Sequence, residues 1–157
     1  MEPDQALNEA HTFLTDDDLG DEEALRQVVD VLFASHPTWS WVGVYLLVGD
    51  TLVLGPYAGA PTEHTRIPVG TGVCGMAVEQ GRNMVVGDVK VLDNYLACSP
   101  ATQSELVLLI RDGGDIVGQF DVDSDELEAF QPEDLDALRP LADLAGVRCR
   151  RLAATLS

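Results

Sequence analysis

The chain has 157 residues, 46% of them hydrophobic, and carries 27 acidic against 9 basic side chains for a formal charge of −18. That balance excludes nucleic acid as a natural partner, because affinity for a polyanion comes from Lys and Arg neutralising phosphates, and the same field repels anionic membranes. Three cysteines are an odd number for a disulfide framework, no window approaches the roughly 18 apolar residues of a membrane span, and the N-terminus (Met1-Glu2-Pro3-Asp4) is acidic where a secretory signal is basic, so a cytoplasmic chain is expected.

Length and composition suit one domain over 1–157. Residues 1–38 read as two helices: Leu7, Ala10, Phe13 and Leu14 recur at helical spacing within 2–14, and Ala24, Leu25, Val28, Val29, Leu32 and Phe33 do so within 21–35. The acidic run from Thr15 to Glu23 reads as a solvated loop leading into the second helix. At Trp39 the period changes, and 39–48, the turn Gly49-Asp50 and 51–54 form an antiparallel hairpin. Residues 61–72 are irregular and dense in Pro and Gly, and 73–80 make a short helix stopped by Gly81. A short strand over 83–86 leads into a long connection, 87–103, of a length associated with function. Leu106 to Ile110 and Ile116 to Val122 flank Asp112-Gly113-Gly114-Asp115 as a second hairpin. Pro132 opens the last helix, whose inner side carries Leu135, Leu138, Leu141, Leu144 and Ala145, and Pro140 and Gly146 predict a kink or break inside it. Hairpins in place of crossovers predict an α+β fold, a central antiparallel sheet flanked by N-terminal and C-terminal helices.

Chemistry enters with the thiols and carboxylates. Cys98 lies in a polar loop near Pro100, the setting of a reactive thiol, whereas Cys149 on the last helix reads as a small buried hydrophobe. Cys74, beside Gly75 at a helix start, suits either a packed or a low-pKa thiol. Asp121 and Asp123 are two apart in a strand, so both side chains point to one face, about 7 Å apart. If Glu105 joins them from the neighbouring strand, three carboxylates share a small volume and at least one must hold its proton. Trp41 and Tyr45 also share a face and suit the walls of a small pocket. The spacing of His64, Cys74 and Cys98 matches no compact zinc pattern, so no metal is expected. Gly70, Gly72 and Gly75 lack the Gly-Lys-Ser/Thr ending of a phosphate loop, and His11 and His36 read as surface or helix-end residues.

Several segments together carry a family resemblance. Trp41-Val42-Gly43-Val44-Tyr45, Thr51-Leu52-Val53-Leu54-Gly55-Pro56-Tyr57, Arg66-Ile67-Pro68-Val69-Gly70, Gly72-Val73-Cys74-Gly75, Leu96-Ala97-Cys98, Ser104-Glu105 and Phe120-Asp121-Val122-Asp123-Ser124 resemble the free methionine-(R)-sulfoxide reductases, stand-alone GAF-domain enzymes. The resemblance implies a GAF fold, a homodimer, and thiol-dependent reduction of free methionine-(R)-sulfoxide to methionine, without metal or flavin and recycled by a thioredoxin-like reductant. It makes Cys98 the catalytic thiol and Cys74 a resolving thiol, with Trp41, Tyr45, Glu105, Asp121 and Asp123 as the substrate pocket. This chain departs from the pattern at His64, where the family has a further resolving cysteine, and at Asn94-Tyr95, Ser99 and Leu109. Those departures motivate a second reading, a GAF module that keeps a small-ligand pocket without turnover.

Overall fold

Trp39–Val48 (β1) carries two alternating sets of apolar side chains, and each set meets a different neighbour. Val42, Val44 and Leu46 pack toward helices, whereas Trp41 and Tyr45 pack on the opposite face. The computed structural model describes residues 1–92 and 101–157. Its sheet is buried on both sides, and the two sides have different chemistry.

Helices α1 (Pro3–Leu14) and α2 (Asp21–Ser35) precede β1, which turns at Gly49 into β2 (Thr51–Gly59). Then come β3 (Arg66–Pro68), α3 (Gly72–Gln80), β4 (Met84–Val86), a 3-10 turn at Val89–Val91, β5 (Ser104–Asp112), β6 (Asp115–Ser124) and α4 (Pro132–Ala154). The sheet order is β3-β2-β1-β6-β5-β4, with every neighbouring pair antiparallel. This is the α+β architecture expected from the two hairpins. No helix among the described residues is long and apolar enough to cross a membrane.

Two features differ from the sequence expectation. Residues 66–68, read as irregular, form the edge strand β3: Ile67 is buried against the sheet between exposed Arg66 and Pro68, and an edge position tolerates the amide hydrogen that proline lacks. Of the kink or break expected at Pro140 and Gly146, the break is absent, and α4 runs on through both. Pro140 is exposed, so the carbonyl it leaves unbonded one turn earlier can face water, while Leu138, Leu141, Ala142 and Ala145 hold the inner side in the core. Gly146 is required for packing, since a Cβ there would overlap the Arg111 backbone carbonyl.

The helical layer is tied together by a buried arginine. Arg148 of α4, 3% exposed, donates to the backbone carbonyls of Leu14 (3.2 Å), Asp16 (2.8 Å) and Leu19 (2.9 Å) and to the Asp21 carboxylate (3.3 Å). The acidic α1–α2 connection is thus mostly solvated, as expected, but its backbone is held from inside. The Arg151 guanidinium also hydrogen-bonds Asp21, and these two cations hold its carboxyl below the usual range. Replacing Arg148 with methionine keeps bulk but strands the carbonyls and leaves Asp21 without its buried partner. The expected loss is about 3–5 kcal/mol of unfolding free energy, with a smaller loss for Arg148→Lys. Urea titration checks this as a lower midpoint at unchanged slope.

Candidate active site

The sheet face away from α1, α2 and α4 is built from three strands in register. Trp41 of β1 stands opposite Asp123 of β6, which stands opposite Glu105 of β5. The next inward-pointing row is Gly43, Asp121 and Val107, and the third is Tyr45, Gln119 and Leu109. Strand periodicity therefore places Glu105, Asp121 and Asp123 on one small area, with apolar neighbours around them. Glu105 is 2% exposed and the two aspartates 1% each.

Aromatic side chains wall one end. The Trp41 indole lies over Gly43, where any Cβ would overlap it, and stacks on Tyr57 with ring centroids 5.5 Å apart. Trp41 Nε1 donates to the Ala60 carbonyl (3.1 Å), and Tyr45 donates from its hydroxyl to the His64 carbonyl (2.8 Å). Both aromatic rings are thereby fixed by hydrogen bonds to the segment after β2.

Helix α3 brings the thiol. Its first turn sits on the same sheet face, and Gln119 Nε2 donates to the Cys74 carbonyl at 3.1 Å. Cys74 Sγ lies 3.6 Å from Glu105 Oε2, and the donor atoms of Cys74, Glu105 and Asp121 all lie within 4.8 Å of one another. Of the two settings the sequence allows for Cys74, the packed one is found. Burial pushes its thiol well above the ordinary value, and the Asp121, Glu105 and Asp123 carboxylates add to that shift. Burial likewise raises Glu105 well above the usual carboxyl range, helped by the charges of Asp121 and Asp123. Asp121 is raised by burial too, against hydrogen bonds with Glu105 and Cys74 that favour its ionised form. Burial and mutual repulsion push the cluster toward its protonated forms, the direction that the sequence argument from three crowded carboxylates requires.

Among the residues read from sequence, Trp41, Tyr45, Cys74, Glu105, Asp121 and Asp123 are brought together. Cys98 lies outside the described residues, as do Asn94, Tyr95 and Ser99. Cys149 is fully buried in the helical core, and burial pushes its thiol up to about 12. Sequence reasoning missed Gln119 and Tyr57. The alternation that links Asp121 and Asp123 also includes position 119, so Gln119 was legible by that rule. Tyr57 depended on the β1–β2 register, which carries a bulge between Gly43 and Tyr45.

Beside the cluster is a cavity of ≈ 10 Å³ lined by Tyr45, His64, Ile67, Val73, Cys74 and Asp121, among others. It has room for about one water-sized occupant. A concavity of ≈ 320 Å³ lies elsewhere, between the β1–β2 turn, the start of β6 and the end of α4, and is lined by no thiol and no buried carboxylate. The convergent polar groups, rather than the size of a concavity, identify the site.

The family model of the GAF domain matches residues 19–148. The chain is 45% identical over 102 residues to the free methionine-R-sulfoxide reductase of Escherichia coli K12, a match covering 65% of this chain and 61% of that protein, so the chain spans about three fifths of that relative's length. Among solved structures, the free methionine-R-sulfoxide reductase of Neisseria meningitidis in complex with its substrate superposes with a TM-score of 0.85 at 34% identity, covering 96% of this chain and 90% of that one. The type II free methionine-R-sulfoxide reductase of Thermoplasma acidophilum gives 0.78 at 32% identity, covering 93% and 95%. The chain belongs to the GAF-domain family and, within it, groups with the free methionine-R-sulfoxide reductases.

Proposed function

We propose that this chain reduces free methionine-(R)-sulfoxide to methionine, with Cys98 as the attacking thiol and Cys74 as the resolving thiol. The observation that carries this reading is the gathering of three buried carboxyl groups and a thiol beside Trp41 and Tyr45. A sulfoxide oxygen leaves sulfur only if it is protonated, and a carboxyl that keeps its proton near neutral pH is the acid for that step. The Glu105–Asp121 pair, which burial and mutual repulsion push toward the protonated form, is assigned that role. Asp123, in the row of Trp41, is the contact for the substrate ammonium, and the aromatic walls take the methyl and methylene groups.

In the first step the Cys98 thiol attacks, the carboxyl protonates the sulfoxide oxygen and is restored by the proton that Cys98 gives up, and the oxygen ends on Cys98 as a sulfenic acid. The substrate sulfur gains an electron pair and methionine leaves. In the second step the Cys74 sulfur displaces the hydroxyl, giving a Cys74–Cys98 disulfide and water. Cys74 is kept as a thiol by burial until that moment, with Glu105 3.6 Å away to relay its proton to the departing hydroxyl, which leaves as water. An external dithiol of the thioredoxin type then reduces the disulfide; this partner, a cytoplasmic location and a homodimer belong to the same proposal.

Three measurements test this. Assayed on both sulfoxide epimers of free methionine with a thiol reductant, Cys98→Ser abolishes turnover of the (R) epimer and Cys149→Ser leaves it nearly unchanged. Undiminished turnover in Cys98→Ser removes the reading, and a parent that binds the sulfoxide without converting it favours a binding module. Peptide mapping after one turnover finds the Cys74–Cys98 disulfide; a persistent sulfenic acid at Cys98 would instead mean that resolution comes from outside the chain.

Among the carboxyl variants, Glu105→Gln lowers kcat by about 10² to 10⁴ because its proton is needed in the transition state, whereas Asp123→Asn mainly raises KM. The retained proton has a second readout. Folded Glu105 keeps it above the ordinary value of 4.5, where the unfolded chain has released it, so this group's contribution to stability is complete below 4.5 and falls as pH climbs toward the raised folded value. Glu105→Gln therefore flattens the fall of unfolding free energy with rising pH, measured by denaturant titration. A profile parallel to the parent's would show that Glu105 ionises normally.

A further inference from the structure

We propose that Cys74, Glu105 and Asp121 form an inhibitory site for a thiophilic divalent cation of the zinc class. Their donor atoms lie within 4.8 Å of one another, and all three side chains are buried. Zinc bonds of about 2.3 Å to sulfur and 2.0 Å to oxygen at a tetrahedral angle separate sulfur and oxygen by about 3.5 Å. Cys74 Sγ and Glu105 Oε2 are 3.6 Å apart. The pair already stands at the spacing a shared cation requires.

The unused valence of the cluster points the same way. Among the described residues, Glu105 Oε1 and Asp121 Oδ1 are buried oxygens that no other residue's donor reaches, the two carboxyls having only the proton they share, an expensive condition that a cation would relieve. The ≈ 10 Å³ cavity touches Cys74 and Asp121 and has room for about one water, which can complete a four-coordinate shell. A thiolate with two carboxylates suits Zn²⁺ or Cd²⁺, while Mg²⁺ and Ca²⁺ prefer six or more oxygens. Binding balances by proton release: Cys74 gives up its thiol proton, the carboxyl pair gives up the proton it shares, and the cation takes their place. The word inhibitory rests on the proposed function, because the cation would occupy the acid and the resolving thiol together.

Reduced full-length protein titrated with Cd²⁺ is expected to develop the ultraviolet thiolate-to-metal charge-transfer band and saturate at one equivalent. The band is lost in Cys74→Ser and kept in Cys149→Ser. Glu105→Gln weakens binding by at least 10- to 100-fold, since losing even an outer partner of a metal ligand costs about that much. Zn²⁺ displaces Cd²⁺, and Mg²⁺ does not. A band that persists in Cys74→Ser, no band in the parent, or unchanged affinity in Glu105→Gln overturns the proposal. Tryptophan fluorescence reports folding of each variant, and Glu105→Gln decides the matter if Cys74→Ser does not fold. Binding needs no turnover, so a chain that takes up Cd²⁺ without reducing sulfoxide sinks only the functional reading, and the converse result sinks only the cation site.

Discussion

Three carboxyl groups and a thiol share one enclosed face of this sheet, and their mutual repulsion in a poorly solvated space is the constraint around which the molecule is arranged. Taking each ion from water costs several kcal/mol, and like charges a few ångströms apart add to that. The cost pushes the groups toward their protonated forms, and burial is the leading cause of the raised values at Glu105, Asp121 and Cys74. Such an arrangement persists only if the backbone cannot move the groups apart. The central position of β6 supplies that rigidity, since it is paired along its length on both sides, with β1 and β5.

The opposite face supplies the stability that this arrangement consumes. Val42, Val44, Leu106, Leu108, Phe120 and Val122 alternate with the polar set along the same three strands and bury themselves against α2 and α4. One sheet thus separates two tasks by the parity of residue number. Arg148 extends the same logic to the helices: the acidic connection between α1 and α2 would be repelled from an acidic protein, and three carbonyl contacts with one carboxylate contact hold it down.

Legibility in the sequence followed how local the deciding physics was. Alternation along a strand is local, so the shared face of Trp41 and Tyr45 and that of Asp121 and Asp123 could be read directly, and the carboxylate crowding followed once Glu105 was placed on the neighbouring strand. Edge strand β3 could not be read, because three residues ending in proline carry no period and become a strand only through β2. The continuity of α4 through Pro140 was equally hidden, being set by the core contacts of Leu138 and Leu141 on the other side of the helix. The state of Cys74 depended on what covers it. A thiol at a helix start has a lowered pKa when the helix dipole and solvent reach it, and a raised one when a carboxylate cluster and apolar walls do, and only the packing of α3 on the sheet decides between them.

Acid is distributed here in two populations that answer to different variables. Most of the 27 carboxylates are on the surface, where their repulsion is screened over about 8–10 Å at moderate ionic strength. Salt therefore relieves the surface, which is the sense in which so acidic a shell suits a saline environment. Ions do not enter the enclosed cluster as a screening atmosphere, so its protonation responds to pH and to ligands that carry positive charge. The shell raises the local concentration of cations near the site, and the site offers them oxygens of Glu105 and Asp121 that, among the described residues, no other residue's donor reaches. An ammonium group on a small amino acid and a divalent metal ion are attracted by the same field. What separates them is the sulfur: Cys74 contributes a bond that the metal can form and the ammonium cannot.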